Sequence, residues 1–168
     1  MLRGFVIILS TRIKDNNHNN YILLVEDDND ILDLFSDCLQ STGYKITPFN
    51  NPVEALNYFN KNYDENTLAN CSLVITDYRM PHISGIDFIN KIREKDTDYK
   101  IKIMLISAFM KSDLNVDDKL NNLKIDKIIE KPIHLENLID EVKKLISNSI
   151  FSNSNSITIK TDNNKSAI

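Results

Sequence analysis

From Tyr21 onward, short apolar runs alternate with longer stretches in which apolar residues recur every three or four positions. That alternation predicts strands separated by amphipathic helices. The first round pairs the run Tyr21-Ile22-Leu23-Leu24-Val25 with a helix over residues 29–41. Ile31, Leu34, Phe35, Cys38 and Leu39 are read as its core face and Gly43 as its stop. Residues 44–49 give a second, half-polar strand, and Pro52 opens a helix carrying Val53, Leu56 and Phe59, a proline suited to a first turn. A long connection, residues 61–70, leads to the nearly all-apolar strand at 72–76, which reads as buried on both faces. Helix 85–95 and strand 101–106 follow. The next helical stretch, 111–122, offers only Leu114, Val116 and Leu120 as core contacts and is expected to be loosely held. Strand 125–130 and a strongly amphipathic helix built on Leu135, Leu138, Ile139, Val142, Leu145 and Ile146 complete the pattern.

Strand and helix in strict alternation predict an α/β fold: a doubly wound, five-stranded parallel sheet in the order 2-1-3-4-5. The expected organisation is an N-terminal extension over 1–20, one domain over 21–147 and a polar, disordered tail over 148–168, rich in Ser, Asn, Thr and Lys. The apolar run from Phe5 to Leu9 is too short for a membrane span of about 20 residues and lacks a cleavage site, so neither membrane insertion nor export is expected. An extra edge strand or a mis-assigned start explains it better.

Composition narrows the function classes. The 168 residues carry a net charge of -4, and no stretch gathers Lys and Arg free of acidic neighbours, which argues against direct nucleic-acid binding. Two cysteines, Cys38 and Cys71, provide neither a disulfide framework nor a metal cluster and read as reduced, buried thiols. His18, His82 and His134 share no metal-ligand spacing.

The chemistry is positional. Glu26, Asp27 and Asp28 end the first strand, Asp77 the third, Ser107 the fourth and Lys131 the fifth. In a sheet of this order the first and third strands are neighbours where the winding reverses, and ligands bind in that crevice. Carboxylates brought together there repel one another unless a cation compensates. Magnesium fits, because it takes oxygen ligands from one or two carboxylates and leaves positions for water and phosphate. Asp28 has a plainer reading as the cap of the following helix, and Pro81 and Gly85 as turn residues that shape a loop.

Four fragments resemble the receiver domains of two-component response regulators: Leu24-Val25-Glu26-Asp27-Asp28, Asp77-Tyr78-Arg79-Met80-Pro81 with Gly85, Ser107-Ala108, and Lys131-Pro132. Each fragment is weak alone, but four in order at four strand ends make a strong signal. The resemblance, over about residues 21–147, implies a flavodoxin-like fold and Asp77 as nucleophile and phosphorylation site. It implies a magnesium pocket of Glu26, Asp27, Asp77 and the backbone carbonyl of Arg79, with Asp27 and Asp77 as the direct ligands and Glu26 acting through water. Ser107 and Lys131 would contact the phosphoryl group. The implied donor is a sensor histidine kinase or phosphotransfer protein in the cytoplasm, the implied reader a downstream protein, and the only chemistry catalysed is the domain's own phosphorylation and dephosphorylation. The Lys131–Pro132 bond would be cis, as in the family.

Two departures stand out. Ile128 occupies the place of an aromatic switch residue, so output is expected to run through helix 111–122. Arg79 and Phe109 are bulky where the family controls water's access to the acyl phosphate, which predicts a long-lived phosphorylated state. Two other classes compete. A pseudo-receiver would serve only as an interaction module, and the complete set of Asp27, Asp77, Ser107 and Lys131 argues against it. A phosphatase of the haloacid-dehalogenase type needs an Asp-x-Asp pair after strand one, where this chain has Glu26 and Asp28.

Overall fold

The computed structural model describes residues 21–41, 43–63, 71–108 and 122–153. Within them run β1 (Tyr21–Val25), α1 (Asn29–Gln40), β2 (Lys45–Phe49), α2 (Pro52–Asn62), β3 (Cys71–Asp77), α3 (Gly85–Arg93), β4 (Lys102–Ser107), β5 (Lys127–Glu130) and α4 (Leu135–Asn153). The strands pair in parallel in the order β2-β1-β3-β4-β5, the sheet expected from the sequence. The expected extension over 1–20, Phe109, residues 111–121 of the expected helix 111–122, His18 and everything beyond Asn153 lie outside the described residues, as do residues 64–70 of the long connection.

Side chains alternate across a strand, so the sheet builds two cores. Leu23, Val25, Val74, Ile103 and Leu105 face α2 and α3, meeting Phe59, Phe88, Ile89 and Ile92. Ile22, Leu24, Leu73, Ile75, Met104 and Ile106 face α1 and α4, meeting Leu32, Phe35, Leu39, Leu138 and Val142. β1 is buried along its whole length, whereas the edge strands β2 and β5 are not. The edge position also accommodates Pro48, which has no amide to give a ladder.

Helix rotation differs from the sequence reading in two places. α1 buries Leu32, Phe35, Ser36 and Leu39, while Leu34 is 50% exposed. Apolar residues at 31, 32, 34, 35, 38 and 39 spread over an arc of about 160° at 3.6 residues per turn, with Leu34 at one edge and Leu32 at the other, so periodicity alone leaves open which edge of the arc meets the sheet. In α2, Ala55 takes the core place given to Val53, which is 40% exposed. Asp28 does cap α1, its Oδ1 accepting the amides of Asp30 (2.9 Å) and Ile31 (3.2 Å). α4 runs on to Asn153, so residues 148–153, read as part of a tail, continue the helix. Ser and Asn cost only a fraction of a kcal/mol per residue in a helix that is already nucleated.

At the amino ends of the strands lies a polar network that sequence reading passed over. Arg93, at the end of α3, is buried; its guanidinium donates to Asp96, to the carbonyls of Leu123 (2.9 Å) and Lys124 (2.9 Å), and to that of Ile101 (2.8 Å). Asp96, 1% exposed, also accepts the amides of Lys100 (2.9 Å) and Ile101 (3.1 Å). This one ion pair ties the end of α3 to the entry of β4 and to the turn before β5.

Candidate functional site

β1, β3, β4 and β5 deliver their last residues to one rim. β1 hands over to Glu26, whose amide donates to the Phe49 carbonyl at 3.1 Å, so β2 fixes the backbone from which the first carboxylate projects. β3 ends on Asp77 itself, and the next amide, Tyr78, donates to the Ile106 carbonyl at 2.8 Å. β4 ends on Ser107, fully buried, whose carbonyl accepts the Lys131 amide at 2.7 Å. The Lys131–Pro132 peptide is cis.

Gly85 sets the position of Asp77 from the other side. A Cβ at residue 85 would lie 2.2 Å from the Asp77 carbonyl oxygen and 3.0 Å from the Tyr78 Cα. Only a residue without a side chain lets the start of α3 press against the end of β3. The Gly85 amide donates to the Tyr78 carbonyl at 2.9 Å, closing the loop between them, and Ser84 caps α3 by accepting the Asp87 amide at 3.2 Å.

The side chains then converge. The Lys131 ammonium lies 2.6 Å from Asp77 Oδ1 and 2.8 Å from Glu26 Oε2. Asp77 Oδ2 accepts the Arg79 amide at 2.7 Å. Ligand oxygens of Glu26, Asp27 and Asp77 all lie within 4.8 Å of one another. Glu26 and Asp77 are buried, Asp27 exposed. Burial pushes the Glu26 carboxyl above its ordinary range; the Lys131 hydrogen bond opposes this, and the Asp77 charge adds to it. Burial by itself would lower the Lys131 ammonium, yet bonds to Asp77 and Glu26 outweigh it and hold Lys131 above its ordinary value. Three carboxylates against one ammonium leave an uncompensated negative site made of oxygen donors, which fits a hard divalent cation such as magnesium.

The structure thus brings together Glu26, Asp27, Asp77 and Lys131. Arg79 meets Asp77 through its backbone amide, its side chain being exposed, and Ser107 joins the rim through the Lys131 backbone. Direct pairing of Glu26 with Lys131 was not foreseen, because nothing in the spacing of residues 26 and 131 relates them. Ile128 is half-buried against the α2 and α3 core. His82 and His134 are exposed, and Cys38 and Cys71 are free thiols. Among the described residues no helix is long and apolar enough to cross a membrane.

Residues 22–143 match the response regulator receiver domain family. The chain is 34% identical over 125 residues to the response regulator receiver protein CpdR of Brucella abortus, covering 74% of this chain and 95% of that protein. It is 23% identical over 129 residues to the polar-differentiation response regulator DivK of Brucella anthropi, covering 76% and 97% respectively. The fold is similar to that of a CheY-like receiver domain protein from Methanospirillum hungatei, with a TM-score of 0.68 at 20% identity over 79% of this chain and 98% of that one.

Proposed function

The chain belongs to the response regulator receiver domain family of two-component signalling, and from that membership we propose that Asp77 is its phosphoacceptor, taking a phosphoryl group from a phosphohistidine in a magnesium-dependent reaction. The observation that carries this reading is the Lys131 ammonium 2.6 Å from Asp77, with Glu26 and Asp27 oxygens alongside at the switch point of the sheet.

An aspartate is ionised at neutral pH and attacks phosphorus without a general base. The Asp77 carboxylate forms the new O–P bond as the P–N bond to the donor histidine breaks, and the departing imidazole keeps the electron pair and takes up a proton. Asp27, Asp77 and the Arg79 carbonyl would hold magnesium, with Glu26 behind them. The ion supplies neutralisation of negative charge on the transferring group. Lys131 neutralises charge on a second oxygen, and Ser107 donates a hydrogen bond to a third. The product is an acyl phosphate read by a downstream protein in the cytoplasm.

The phosphatase alternative loses its second acid, since Asp28 is committed to capping α1. A pseudo-receiver is separated by experiment. Incubation with acetyl phosphate and magnesium should add a phosphate-sized mass to the wild type and none to Asp77→Ala. An unmodified wild type would leave only the interaction-module reading.

A further inference from the structure

β1, β3 and β4 are buried along nearly their whole length, and side chains buried on both faces leave such strands one register. β5 is different: it is a four-residue edge strand, and none of its residues is fully buried. Ile128 packs on the α2 and α3 core and Ile129 on the α1 and α4 core. A slip by one residue in either direction still keeps an isoleucine over one of the two cores, so the apolar pattern specifies the register of β5 weakly. Such a slip would carry every later residue of the strand about 3.3 Å along the sheet.

The polar residue just before the strand makes up the difference. Asp126 meets Ile103, at the amino end of β4, twice: its amide donates to the Ile103 carbonyl at 3.0 Å, and its Oδ2 accepts the Ile103 amide at 2.9 Å. Its Oδ1 takes the Lys102 ammonium at 2.8 Å, and Arg93 Nη2 lies 3.9 Å from Oδ2. Arg93 is itself fixed, by Asp96 and by the carbonyls of Leu123 and Lys124 in the turn that leads to β5. Neither sequence neighbour can replace Asp126. Shifted one way, Lys127 would bring its ammonium against Lys102 and Arg93, and it has no acceptor to offer. Shifted the other way, Ile125 would leave the Ile103 amide unpaired inside the protein. We propose that Asp126, backed by Arg93, is the register clamp of β5, and thereby a positioning residue for the phosphoacceptor site at the opposite end of the sheet. The consequence for Asp77 rests on the phosphoacceptor reading; the clamp itself does not.

Amide exchange of the unphosphorylated full chain, resolved by residue, reads the clamp directly. Asp126→Ala should speed exchange about tenfold or more along β5 and at the Lys131 amide, which donates to the Ser107 carbonyl, while β1 and β3 change less than about threefold. In acetyl phosphate reactions followed by intact mass, the same variant should slow labelling of Asp77 about tenfold at saturating magnesium. The half-saturating magnesium concentration should move less than about twofold, because the clustered carboxylates stand at the ends of β1 and β3. Asp126→Asn keeps an acceptor for the Ile103 amide and should recover most of the protection and most of the rate. Should Asp126→Ala not fold, Asp126→Leu, similar in shape to Asn and without an acceptor, is expected to give the same pattern. Faster exchange spread evenly over the sheet, labelling of Asp126→Ala at the wild-type rate, or an Asp126→Asn variant as impaired as Asp126→Ala would each overturn the role. Failure of wild-type Asp77 to gain mass overturns the phosphoacceptor reading alone, while the exchange pattern still decides the clamp.

Discussion

A methyl group on residue 85 would sit 2.2 Å from the Asp77 carbonyl oxygen, closer than any real Cβ contact, and the atom it meets is backbone. Neither side can yield without moving the end of β3. Gly85→Ala should therefore cost about 1–3 kcal/mol in urea denaturation, the usual range for overpacking. It should also cut acetyl phosphate labelling of Asp77 several-fold. Full labelling with unchanged stability would show that the α3 start does not set the Asp77 position. Gly85 was legible from sequence as a turn former, but its steric role was not, because that depends on a contact between two elements. Asp28 was legible in full, since an N-cap is a local bond within three residues.

Among the elements, α3 carries the most unexpected connections. It begins against Asp77 and ends in Arg93, buried among three carbonyls and Asp96. Removing one member of a buried pair leaves the other uncompensated, at about 3–5 kcal/mol. Arg93→Ala should lower stability by that much in urea titration. Removing the neighbouring Lys100–Asp98 pair, which is exposed, should leave the midpoint unchanged. Equal effects would contradict the contrast drawn from burial. In sequence both pairs look alike, acid and base a few positions apart, and only packing tells them apart. The same limit explains α1 and α2, where helical periodicity established the elements but not the arc that meets the sheet, so Leu34 and Val53 point outward. Strands were easier, because a run such as Leu73-Val74-Ile75 has no polar face to misplace.

At the scale of the whole molecule, the order β2-β1-β3-β4-β5 places acidic groups from β1 and β3 side by side and brings the lysine in from β5. A ligand that binds only the folded state stabilises it by about 2.7 kcal/mol at a hundredfold excess over its dissociation constant. Magnesium at that level should therefore raise the thermal midpoint of the wild type by several degrees. EDTA should reverse the rise, and Asp27→Asn/Asp77→Asn should abolish it; a rise of equal size in that double variant would place the ion elsewhere. That convergence was readable before any coordinates, because the switch-point rule needs only strand order and strand ends.

The ammonium that faces Asp77 arrives from the final strand, across the end of β4. A chain emerging from the ribosome exposes Asp77 more than fifty residues before it exposes the matching positive charge of Lys131. Until β5 has been synthesised and docked, that carboxylate lacks its electrostatic partner. The phosphoryl acceptance proposed for Asp77 therefore belongs to a chain that extends through β5, not to a half-made copy.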